Sequence, residues 1–65
     1  MPNLIEGLLE QMNRCREVLS EYQKIPEGAL GAMLIKQDIE NAEAAMSSGD
    51  VVAMLRAYET LKGVN

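Results

Sequence analysis

The stretch Tyr22-Gln23-Lys24-Ile25-Pro26-Glu27-Gly28-Ala29-Leu30-Gly31-Ala32-Met33 decides how this chain folds. Pro26 lacks a backbone N–H and pushes Ile25 out of the helical region, yet it suits the first position of a new helix. One helix must therefore stop near Lys24 and another start at Pro26. Glu27 then falls in the first turn of the second helix, where the dipole favours a negative charge.

Upstream of the break, Leu4, Leu8, Met12, Cys15, Leu19 and Tyr22 recur at three- and four-residue steps, and Ile5, Leu9 and Val18 widen the stripe. This is the period of an amphipathic helix. Asn3 is placed to cap it, Glu6 sits where a capping-box acid would, and Glu10 and Arg14 form an i,i+4 pair. The first helix is read over about residues 3–24.

Downstream, Ala32, Ile35, Ile39, Ala42 and Met46 form a second stripe, with Lys36, Gln37, Asp38, Glu40 and Glu43 mostly off it. Ser47-Ser48-Gly49-Asp50 then punctuates the chain. Gly49 can take a left-handed conformation, and Asp50 or Ser48 can cap a third helix. Val51, Val52, Leu55, Tyr58 and Leu61 give its stripe, and Gly63 ends it. The second and third helices are read over about residues 26–47 and 50–62. Gly49-Asp50 has the look of half a tetratricopeptide turn, but no 34-residue period accompanies it.

The chain is thus all-α, a single three-helix unit over residues 1–65. Short connections make neighbouring helices antiparallel. The first two helices reach about 30 Å and the third about 20 Å. The long hairpin should therefore keep part of its apolar face near Pro26 uncovered, as interfaces do.

Size points the same way. A chain of 65 residues buries only about 60% of its unfolded surface, which makes a lone core marginal. Cys15 is the sole cysteine and there is no histidine, so neither an internal disulfide nor a tetrahedral zinc site can add stability. No Asp-x-Asp-x-Asp-Gly calcium loop is present. A helical-bundle homo-oligomer is the remaining stabiliser.

Composition narrows function. Without histidine there is no Ser-His-Asp or Cys-His pair, nor a Glu-x-x-His di-iron site. Glu17 with Glu21, or Glu40 with Glu43, has no facing carboxylate element, so these glutamates read as solvated helix faces. No catalytic residue, metal or cofactor is expected. A net charge of −4, with Tyr22 and Tyr58 the only aromatics, argues against nucleic-acid polymers. No apolar run approaches the roughly 18–20 residues of a membrane span. Met1-Pro2-Asn3 is not a basic leader and no apolar leader segment follows, so with a free thiol a reducing cytoplasm is expected.

Cys15 lies on an apolar stripe and reads as a small buried hydrophobe, although Arg14 and Arg16 flank it. Met12, Met33 and Met46 fall on core stripes, and Met54 reads as the most exposed of the internal methionines. Gly28 and Gly31 stand out more. Each costs about 1 kcal/mol relative to alanine inside a helix. Either they let two helices cross closely, or they let a ligand approach bare backbone. In the second case the helix start suits a phosphate. Tyr22 and Lys24 would lie beside it, with Tyr58 and Lys62 brought closer by the third helix.

Residues 25–33 (Ile25-Pro26-Glu27-Gly28-Ala29-Leu30-Gly31-Ala32-Met33) and 48–55 (Ser48-Gly49-Asp50-Val51-Val52-Ala53-Met54-Leu55) resemble short all-helical proteins of bacteria and their phages to which no activity is attached. The resemblance extends loosely over most of the chain. It implies a kind of protein that blocks a host protein or sequesters a host signalling molecule without catalysis. The expectation is a non-enzymatic homo-oligomer holding a small anionic, nucleotide-type signal at Gly28, Gly31, Tyr22, Lys24, Tyr58 and Lys62. The alternatives are an inhibitor docked on a host protein through an apolar helical face, and a purely structural assembly subunit.

Overall fold

In a computed structural model, which describes residues 3–65, three α-helices follow one another: α1 (Leu4–Gln23), α2 (Ala29–Ser48) and α3 (Val51–Lys62). The described residues form no strand. Asn3 caps α1, its Oδ1 accepting from the Glu6 N–H at 2.8 Å. Pro26–Gly28 forms a single 3₁₀ turn before α2 begins, so the α-helix proper starts three residues later than the proline suggests. At the other end Gly49 closes α2 with φ 71°. That left-handed cap lets Asp50, whose Oδ1 accepts from the Ala53 N–H at 3.2 Å, start α3 after a turn of two residues. Met1 and Pro2 lie outside the described residues.

The core takes Leu8, Met12 and Cys15 from α1, Ile35, Ile39, Ala42 and Ala45 from α2, and Met54 and Leu61 from α3. The stripe read for α2 faces it, and so does that of α1 apart from Ile5 and Leu9, read as widening it, which are exposed. The α3 stripe holds at Leu61, which is fully buried, and at Tyr58, which packs on the core, but not at the helix start. Val51, Val52 and Leu55 are each at least half exposed, while Met54 is buried and Ala53 and Ala57 pack beside it. Met33, read as core, is also exposed, on the side of α2 opposite Ile35.

α3 is too short to cover the hairpin, but the chain after it continues the cover. Val64 packs on the core, and the Tyr22 hydroxyl donates to the Asn65 carbonyl at 2.9 Å. The inner face near Pro26 is therefore closed, and the exposed apolar groups at that end (Ile25, Leu30, Met33, Leu34) are on the outside.

Arg14 makes no pair with Glu10 among the described residues. Its guanidinium reaches across to the end of α3, donating to the Val64 carbonyl at 2.7 Å and to the Leu61 carbonyl, while its Nε donates to Gln11 Oε1 at 3.0 Å. The last carbonyls of a helix lack intrahelical partners, and a part-buried cation satisfies them at their negative end. Replacing Arg14 by Met keeps the stem and deletes these bonds. Arg14→Met is expected to lower stability by about 2–3 kcal/mol in urea denaturation, with α1 helicity retained.

Candidate functional site

The corner between α1 and α2 is built around Tyr22. A Cβ added to Gly31 would stand 2.7 Å from two ring carbons of Tyr22, and one added to Gly28 would stand 2.5 Å from its carbonyl oxygen. Neither glycine needs an unusual dihedral, since Gly49 is the only described glycine with positive φ. Both are small because Tyr22 fills the space that their side chains would take. Ile25 N–H donates to that same Tyr22 carbonyl at 3.2 Å and Gly28 N–H to the Ile25 carbonyl at 2.9 Å, locking the turn.

The six residues read as a ligand site divide into two places. Tyr22, Gly28 and Gly31 meet at this corner. Lys24 lies near it in sequence and pairs with Glu21 at 3.3 Å, on the surface. Tyr58 instead packs on Gly7, where an added Cβ would come within 3.3 Å of the ring, and Lys62 stands 5.4 Å above that ring. Gly7 and Tyr22 are about 22 Å apart along α1 at 1.5 Å per residue. Within one chain the two tyrosines thus serve two separate glycine notches, of which only the Gly28–Gly31 pair stood out in the sequence. Gly7 carries the same signal, a glycine inside a helix that something must offset.

Cys15 is fully buried. Its Sγ lies 3.5 Å from the Leu61 carbonyl and 3.9 Å from Arg14 Nη2. Burial pushes its pKa up, Arg14 opposes this in part, and Asp38 adds to it. A thiol held protonated and enclosed is a core group, as its place on the α1 stripe suggested. No cluster of three potential metal ligands occurs among the described residues.

A groove of about 510 Å³ lies between α2 and α3. Ala44, Ala45, Ala53 and Ala57 line it together with Asn41, Ser48 and Thr60, and Asp38 and Arg56 are its charged members. These alanines attract no attention as single residues. Their significance appears only when two helices are laid side by side.

Two measurements check these assignments. Gly31→Ala is expected to destabilise the chain by about 1–3 kcal/mol through overpacking. In a Tyr22→Ala background the same change should instead stabilise by up to about 1 kcal/mol, the helix-propensity gain; a cost that persists without the ring would refute the packing role. Cys15 is expected to react with a thiol reagent only as the chain unfolds. Because the folded state keeps a proton that the unfolded thiol loses, stability should also fall as pH rises above the ordinary thiol value of 9.0.

Compared with known proteins, the chain matches no family model, no curated protein and no solved structure.

Proposed function

We propose that this chain is a non-enzymatic helical subunit that works by assembling with itself and acts through the surface of the assembly. The observation that carries the reading is the distribution of large apolar side chains. Six are buried in the core (Leu8, Met12, Ile35, Ile39, Met54, Leu61), whereas nine are between 42% and 65% exposed.

The exposed nine are grouped. Ile25, Leu30, Met33 and Leu34 gather at the α1–α2 end, while Ile5, Leu9, Val51, Val52 and Leu55 belong to the helix starts at the opposite end. Scattered single hydrophobes need no explanation, but groups of them mark contact surfaces. Finishing the burial of a half-exposed Leu, Ile or Met contributes roughly 1 kcal/mol. Nine such groups approach the whole stability of a small domain. The chain thus gains from a second copy what its short length and lone cysteine deny it.

The filling of the Gly28–Gly31 notch by Tyr22 gives those glycines a purpose without a ligand, and favours assembly over a nucleotide-type site as the primary role. Action by binding is in keeping with the resemblance to short proteins of bacteria and phages. No described helix is long and apolar enough to cross a membrane, so the exposed groups are not part of a helical span.

Light scattering behind size exclusion tests the reading. The expected mass is a multiple of 7.2 kDa, and the double variant Leu30→Glu with Leu55→Glu should shift it toward the monomer with helicity retained. A 7.2 kDa species across the micromolar range overturns it.

A further inference from the structure

The outer face of α2 is bulky in its first half and small in its second. Leu30, Met33 and Leu34 project from it near the start, Gln37 stands in the middle, and Asn41 and Ala44 follow, all exposed. Asn41 and Ala44 of the small half also line the groove of about 510 Å³ shared with α3. Leu30 and Ala44 lie seven residues on either side of Gln37, two helical turns each way. A helix that carries knobs at one end of a face and a hollow at the other, equally spaced about a central residue, is complementary to itself run backwards.

From this we infer that α2 pairs antiparallel with α2 of a second copy about a two-fold axis at Gln37, so that Leu30 and Leu34 of each copy enter the groove of the other. The inference rests on the self-assembly reading above and gives it a geometry. A two-fold contact uses one patch twice, which is the requirement that this face meets.

Area and charge support a second copy as the occupant. A stable interface takes about 800 Å² from each partner, a little under a fifth of this chain's 4514 Å². Three projecting side chains fall short of that. α2, 20 residues long, and α3, 12 residues long, together present a footprint of roughly 480 Å² before its relief is counted. Only with the relief of the knobs and of the groove both counted does this face come near what a dimer needs. For charge, the chain carries −4, and like-charged faces repel. α1 turns Glu6, Glu10, Glu17 and Glu21 outward as one exposed acidic stripe. The groove lining instead carries one charge of each sign, Asp38 and Arg56, and Arg56 has no ion-pair partner among the described residues. Pairing through α2 and α3 leaves the acidic stripes pointing away from each other.

Disulfide trapping in the full chain tests the geometry, with Cys15 buried and out of reach. Under mild oxidation Gln37→Cys is expected to give a covalent dimer by itself. Leu30→Cys and Ala44→Cys should each cross-link at least tenfold less alone than when mixed one to one. Glu17→Cys, on the acidic stripe, should not cross-link. If light scattering shows an assembly but Gln37→Cys does not trap, or Glu17→Cys traps as well as Gln37→Cys, this geometry is wrong and self-assembly stands. If every variant and the parent chain are monomeric, both readings fall.

Discussion

The seating of Tyr22 in the Gly28–Gly31 notch is the constraint on which the rest of this structure depends. The ring leaves no room for a side chain at Gly31, and the Tyr22 carbonyl leaves none at Gly28 while receiving the Ile25 N–H. Together these contacts set the distance and rotation of α2 relative to α1 at the tight end of the hairpin. The rotation decides which residues of α2 face inward. With Ala32, Ile35 and Ile39 directed at the core, Leu30, Met33 and Leu34 have nowhere to point but outward. The exposed apolar surface is thus a consequence of a packed corner. The same ring, through its hydroxyl, holds the chain at Asn65 over the inner face.

Arg14 plays the corresponding part for α3. A helix of 12 residues has few hydrogen bonds of its own relative to its unsatisfied ends, and such helices are marginal without tertiary support. Asp50 caps its start, and Arg14 satisfies carbonyls at its finish from α1. No side chain buried among the described residues is polar or charged, so these part-buried and surface bonds carry the polar specificity of the fold. Cys15 contributes as an apolar group in the middle of this arrangement, and its protonated state follows from the same burial.

Much of the fold is legible in the residues. Pro26 and the Gly49-Asp50 pair mark the breaks because their backbone chemistry permits little else there, and Asn3 caps α1 as its side chain allows. The α2 stripe and the main α1 stripe read correctly because one apolar period dominates each, whereas Ile5 and Leu9, read as widening the α1 stripe, are exposed. α3 reads wrongly at its start. Val51, Val52 and Leu55 are more hydrophobic than Ala53 and Ala57, yet it is the alanines that pack against the core. Arg14 was assigned to Glu10 because local spacing sees only neighbours one turn away, and α3's carbonyls are invisible to it. Of the proposed ligand residues, Tyr22, Gly28 and Gly31 do share a corner, but Tyr58 and Lys62 sit against Gly7.

By itself, then, the sequence determined the number of helices, their order, their breaks and the inner faces of the first two. Local sterics and a 3.6-residue period act within a few residues and leave their mark directly in the chain. Only the tertiary structure decided which residues at the start of α3 face inward, the partners of Arg14, the filling of the glycine notches by tyrosine and the hollow between α2 and α3. Each of these depends on which surfaces from distant parts of the chain fit closely against one another. Side-chain volume in a packed contact is a property of the pair of surfaces, and no spacing rule along one strand of sequence contains it.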